Sequence, residues 1–265
     1  MMKPEEVWGP RWVNSAHPIS HEYMRISSEK NSLVVLAADL PSVGGIIDLI
    51  ESVGSKVCAL KTHVDMVDDF SMDSWKNLVE VAKSNDVLLF EDRKFADIGR
   101  VAQTQMGGLY NIQSWADVVT CHSVSGPDVV DGIAAGWEEA ERVGGVLLLA
   151  QMSSSGNLLD DSYGDRTLEI GNVSPHVMGY IGNGSSPIEL KRLRSKVGEG
   201  RMIWTPGVSL SAKEGVLGQR YGNPAEAVIS GSDAIIVGSG IHGSEDAFSA
   251  AQDYASASWN ALLER

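Results

Sequence analysis

Short apolar runs recur along the chain, each followed by a longer stretch with the spacing of a helix. The runs are SLVVLAAD (32–39), KVCALK (56–61), DVLLFED (86–92), DVVTCH (117–122), GVLLLAQ (145–151), VMGYIG (177–182), RMIWTPG (201–207) and DAIIVGSG (233–240). They are near-continuously apolar rather than alternating, which is the pattern of strands buried on both faces, hence of a parallel sheet covered by helices. The distance from one run to the next suits a strand, a loop, a helix and a loop, and no Pro/Gly/Ser-rich linker interrupts the series. Eight such units predict an α/β fold of the closed (β/α)8 barrel (TIM-barrel) type. A doubly wound open sheet is the alternative, but no GxGxxG follows the first run. Three prolines and a helix predicted near Ser20 to Lys30 precede the first strand. Residues 1–32 are therefore read as an N-terminal extension packing on the barrel, and 33–265 as the barrel itself.

Composition narrows the partners. With 21 basic and 35 acidic side chains the formal charge is −14, which argues against nucleic acid or an anionic membrane surface. The strongest apolar run, Gly145 to Ala150, is far shorter than the ~18 residues of a membrane span, and the start MMKPEEVWGPRW carries no apolar signal core. A soluble, cytoplasmic protein is expected. Cys58 and Cys121 lie inside apolar segments, away from any CxxC pattern, as buried reduced thiols would. The cluster Lys191, Arg192, Arg194 and Lys196 reads as the solvated face of the helix after the sixth strand, and Trp8, Trp12 and Trp204 as packing residues.

In such a barrel chemistry gathers at the carboxyl ends of the strands. The first run ends in Asp39, the second in Lys61-Thr62-His63-Val64-Asp65, the third in Asp92-Arg93-Lys94-Phe95-Ala96-Asp97. Side chains alternate along a strand, so Asp92 and Lys94 are expected on one side, with Lys61 of the neighbouring strand beside them and Asp97 beyond, on the loop. One such residue is ordinarily a rim salt bridge. A dense Lys–Asp–Lys–Asp array on adjacent strand ends instead points to an ammonium and a carboxylate confined beside one small ligand. His63 is assigned no catalytic role and is expected to brace Asp65 or Asp39.

The segments LAAD, LKTHVD, LLFEDRKFADIG, LLLAQMSSSG, TPGV, LGQRY and GSDAIIVGSG, in this order, resemble the eukaryotic type of orotidine 5′-monophosphate decarboxylase, from about Leu33 to Glu264. The resemblance implies loss of the C6 carboxylate as carbon dioxide without metal or organic cofactor, in a homodimer whose sites lie at the interface. It gives Lys94 the developing charge at C6 and the proton, Asp92 and Lys61 the rest of the charge network, and Asp97 a place in the partner's site. Asp39 and Lys61 would hold ribose hydroxyls, and Ser153 with Gln219 would read the pyrimidine. Ile98, Pro206, Tyr221, Gly238 and Ser239 would complete the substrate contacts. Two positions depart from the family. Where its IIVGRG motif carries a phosphate-binding arginine this chain has Ser239, and a threonine after the catalytic lysine is Val101 here. Either Arg220 or a lysine near Lys213 grips the phosphate instead, or the substrate is orotidine or a related nucleoside without it. A non-catalytic nucleotide-binding paralogue and a metal-dependent sugar-phosphate decarboxylase or aldolase are the remaining alternatives.

Overall fold

A computed structural model describes residues 2–211 and 219–265. The eight runs form β1 (Val34–Ala37), β2 (Ala59–Thr62), β3 (Leu88–Phe95), β4 (Val118–Cys121), β5 (Gly145–Leu149), β6 (Val177–Ile181), β7 (Met202–Thr205) and β8 (Ala234–Val237). All pairs are parallel and β8 closes on β1, so the sheet is a barrel in chain order. Nearly every strand residue is buried, because the inner faces fill the barrel and the outer faces lie under helices.

Three helices precede the barrel: α1 (Pro4–Trp8), α2 (Pro10–Asn14) and α3 (Pro18–Lys30). Only the last was expected. The three prolines begin these helices: at the first helical position proline loses no hydrogen bond and its fixed φ suits the turn. α4 (Val43–Val53), α5 (Met72–Ser84), α6 (Gly99–Met106), α7 (Asp128–Glu139), α8 (Asp161–Val173), α9 (Pro187–Val197) and α10 (Pro224–Ile229) follow β1 to β7, and α11 (Ser239–His242) and α12 (Ala247–Glu264) follow β8. No helix among the described residues is long and apolar enough to cross a membrane. Cys58 and Cys121 are free and buried, and burial pushes both thiols up to about 12.

The N-terminal end of the barrel carries the structural charges. Asp233, fully buried, is met by Arg11 at 2.8 Å, by Arg265 at 3.0 Å and by Arg194. Burial alone would raise its carboxyl, but the three guanidiniums hold it below the usual range. Arg194 therefore corrects the reading of its cluster: it points into the protein, while Arg192 pairs with Asp161 at 2.8 Å near the surface. Lys30 closes the same end by donating to four backbone carbonyls, those of Gly54, Val57, Asn85 and Asp86, at 2.7 to 2.9 Å.

One irregularity positions the site. Phe90 and Glu91 of β3 pair with Val118 and Val119, and the next paired residue is Phe95, against Cys121. Asp92, Arg93 and Lys94 thus stand opposite Thr120 alone, and Lys94 takes a left-handed φ of 51°. Such a bulge is costly for a non-glycine residue and is held by Thr120, whose Oγ1 accepts from the Lys94 N–H at 2.9 Å and donates to Asp92 Oδ1 at 2.7 Å.

Candidate active site

The ends of β1, β2 and β3 bring four charges together. Lys94 Nζ donates to Asp92 Oδ2 at 2.6 Å, Lys61 Nζ lies 3.7 Å from the same oxygen, and Lys61 also donates to Asp39 at 3.2 Å. Burial alone would raise the Asp92 carboxyl, but the Lys61 and Lys94 ammoniums overcome it and hold it down at about 2. Asp92 is therefore ionised at any ordinary pH, shielded from water and doubly countered. His63 does not brace Asp65 or Asp39 by a hydrogen bond; its Nε2 lies 3.6 Å from Asp92, and burial and then Lys61 lower its pKa, which favours the neutral ring.

The bulge gives the expected outcome by another route. Asp92 and Lys94 do share a side, but through the left-handed turn at Lys94 and the Thr120 brace rather than by simple alternation. Thr120 was missed; the signal available was a polar residue at the end of an otherwise apolar fourth run. His122, one residue beyond β4, was missed as well: burial and then Lys94 lower its pKa, and its Nδ1 lies 3.3 Å from the Tyr163 hydroxyl.

Two connected spaces open from the array. A recess of about 140 Å³ is lined by Lys61, Asp92 and Lys94 on one side and by Leu149, Ser153, Ile181 and Pro206 on the other. It is large enough for one planar ring set on a fixed charge array. Above it Gln219 Nε2 donates to Ser153 Oγ at 3.0 Å, so a carbonyl–amide reader and a hydroxyl meet at the apolar wall. Gly207, at φ 77°, permits this: a Cβ there would fall 2.7 Å from Ser153 Cβ. The second space, about 560 Å³, starts at the same Lys61 and Asp92 and runs past Asp39 and Tyr221 to Gly238, Ser239 and His242.

Of the residues expected in the site, Asp97 and Ile98 stand apart. Asp97 is exposed, its Oδ1 accepting from the Ile98 N–H at 2.7 Å, and it forms no ion pair with a described residue. Ile98 is 59% exposed. Both are fixed at the start of α6, which α7 holds by backbone contact: a Cβ on Gly132 would meet the Gly99 carbonyl at 2.0 Å. Arg220 also departs from expectation. Its Nε donates to the Ser153 carbonyl at 3.2 Å, and its side chain lines a different cavity, with Asn157, Arg192 and Lys196. Lys213 lies outside the described residues.

His63, Asp65 and Glu91 each offer a ligand atom within 4.8 Å of the others, the one such grouping among the described residues. Each already has a protein partner. Glu91 accepts from Thr62 Oγ1 at 2.7 Å and from the Val64 N–H at 3.2 Å, Asp65 lies 3.8 Å from Arg93, and His63 faces Asp92.

A closed barrel with a lysine–aspartate–lysine array at its carboxyl mouth, beside a ring-sized apolar recess, defines a barrel enzyme that works by fixed charge on a small ligand. The family model described as "Orotidine 5'-phosphate decarboxylase / HUMPS family" matches residues 32–254, and the chain belongs to that family. Orotidine 5'-phosphate decarboxylase of Schizosaccharomyces pombe is 37% identical over 253 residues, covering 94% of this chain and 92% of that protein. The enzyme of the same name from Rhizomucor pusillus is 38% identical over 244 residues, 91% of this chain and 89% of that one. Uridine 5'-monophosphate synthase of Bos taurus is 38% identical over 252 residues, 94% of this chain but 50% of its own length, so this chain spans half of that protein. Among solved structures, orotidine 5'-monophosphate decarboxylase from Methanocaldococcus jannaschii, complexed with the inhibitor BMP, aligns with a TM-score of 0.68 at 19% identity, over 85% of this chain and 98% of that one. The Pyrococcus horikoshii enzyme gives 0.68 at 24%, with the same coverage. These two likenesses establish the fold.

Proposed function

We propose that this protein decarboxylates orotidine 5′-monophosphate to UMP and carbon dioxide. The observation that carries the reading is the Asp92 carboxylate held between Lys94 and Lys61 on the wall of the recess, in a chain of this family. With the pyrimidine in the recess, the C6–carboxylate bond breaks, its electron pair stays at C6, and Lys94 first stabilises and then protonates that carbon. A fixed ammonium gains more from charge concentrating at C6 than from the delocalised carboxylate before it, so it favours the transition state over the bound substrate. Asp92 keeps both ammoniums in place and leaves no room for a second carboxylate charge that does not depart. Asp39 and Lys61 take ribose hydroxyls, Ser153 and Gln219 the ring, and Ile98, Pro206, Tyr221, Gly238 and Ser239 the rest of the nucleotide.

Asp97 acts across a homodimer interface. What supports this is its separation from the array of its own chain and the apolar surface around it, with Ile98, Leu109 and Val124 exposed. Val101 lies nearby, in a cleft with Arg93, Arg100 and Tyr110. The direct test follows the pyrimidine absorbance with orotidine and its 5′-monophosphate as separate substrates, with and without a chelator. Chelator-insensitive turnover of the monophosphate is expected. Turnover of orotidine alone, or of neither, overturns the reading.

A further inference from the structure

If the ligand is a nucleoside monophosphate, as proposed above, its phosphate needs a counter-charge at the far end of the larger cavity, and Ser239 supplies none. A phosphate carries close to two negative charges at neutral pH, and a charge-assisted contact is worth roughly twice a neutral hydrogen bond. The charged and basic groups lining this cavity among the described residues are Asp39, Asp92, Lys61 and His242. Both aspartates repel an anion. Lys61 is already held by them, at 3.2 Å and 3.7 Å, and sits at the recess end. His242 is different: it closes the one-turn helix that begins at Ser239, on the opposite end of the cavity, and its ring has no hydrogen bond or ion pair with a described residue.

Its surroundings are furnished for an anion with neutral donors. The side chains of Ser239 and Tyr221, which line the same space, also bond to no described residue. Tyr254 reaches the cavity from α12, its hydroxyl accepting from the Leu210 N–H at 3.1 Å, so its own O–H proton remains to be donated. That approach depends on Gly240, where a Cβ would fall 2.4 Å from the Tyr254 hydroxyl. We propose that the His242 imidazole is the phosphate grip of this enzyme, acting with the Ser239, Tyr221 and Tyr254 hydroxyls in the place where an arginine would otherwise stand.

The test compares the wild type with His242→Gln and with His242→Gln combined with Ser239→Arg. Steady-state turnover of orotidine 5′-monophosphate is measured for each, and the affinities of UMP and uridine are measured by titration. His242→Gln should raise KM at least fivefold with kcat at saturation nearly unchanged. It should shrink the preference for UMP over uridine by the same factor, leaving uridine affinity alone. Adding Ser239→Arg should restore both, which also shows that the single variant is folded. A KM and a UMP preference within twofold of wild type in His242→Gln overturn the proposal. If the wild type turns over no monophosphate, the functional reading falls instead, and the UMP-to-uridine comparison still decides the role of His242.

Discussion

Glu91 offers the sharpest quantitative test, because its carboxyl is fully buried one residue from Asp92 and couples two of the strands that build the site. Burial pushes it from 4.5 up to about 8, against the pull of the Thr62 hydroxyl and the Val64 N–H. A carboxyl whose folded pKa is raised keeps a proton that the unfolded chain has released, so it adds stability at low pH that is lost as pH rises through the folded value. Each unit of separation is worth about 1.4 kcal/mol, and from pH 6 to pH 9 the contribution should fall by roughly 2–3 kcal/mol. Glu91→Gln is nearly isosteric with the protonated acid, so the variant should lack this loss. Urea denaturation of both proteins at pH 6 and at pH 9 gives the number directly: the wild-type advantage over the variant should shrink by roughly 2–3 kcal/mol across the interval. Parallel pH dependences in the two proteins would falsify the idea that Glu91 is protonated in the fold.

Four further outcomes test the rest of the site and the buried charges at the opposite end of the barrel. Lys94→Ala should lower kcat/KM by more than about a hundredfold while UMP affinity moves by less than tenfold; equal losses of rate and binding would argue that Lys94 only binds. Mixing inactive Lys94→Ala and Asp97→Asn proteins should recover roughly a quarter of wild-type activity, since each heterodimer has one site with neither defect; verified heterodimers without activity remove the shared site. Asp233→Asn should cost about 3–5 kcal/mol in urea denaturation at pH 7, the range for breaking a buried ion pair. Because the Asp233 carboxyl is held low, the wild-type advantage should vanish as pH falls below the usual carboxylate range, and an advantage that persists there counts against the ion-pair account.

The barrel was legible because a parallel strand buried on both faces leaves an unbroken apolar run, and a polar residue that ends such a run has few places to go but the mouth. Asp39, Lys61, Asp92 and Lys94 were found that way. What the run pattern does not encode is register. The three residues of β3 opposite Thr120, and the left-handed turn at Lys94, depend on a hydrogen bond between strands that no local spacing announces. Arg194 was misread for a similar reason. Four basic residues on one helix look alike in sequence, and only the depth of Asp233 beneath the helix draws one of them inward. Arg220 and His242 show the same limit at the site: both are basic residues close to glycines in the sequence, and only the fold shows that Arg220 donates to the Ser153 carbonyl while His242 lines the larger cavity.

The net charge of −14 now bears on kinetics. An anionic substrate must approach a protein that repels it at long range, and the array does not reverse this, because Lys61 and Lys94 are matched by Asp39 and Asp92. The stretch 212–218 adds one lysine and one glutamate, hence no net charge. Binding then depends on contacts made inside the cavity, at distances well under the ~8 Å Debye length of physiological salt, rather than on a basic funnel. Proteins that steer anions electrostatically lose association rate steeply as salt is added. Here kcat/KM measured from low salt to about 0.2 M should stay flat or rise as repulsion is screened. A fall of tenfold or more would mean that a basic field, built from groups other than the paired array, guides the substrate in.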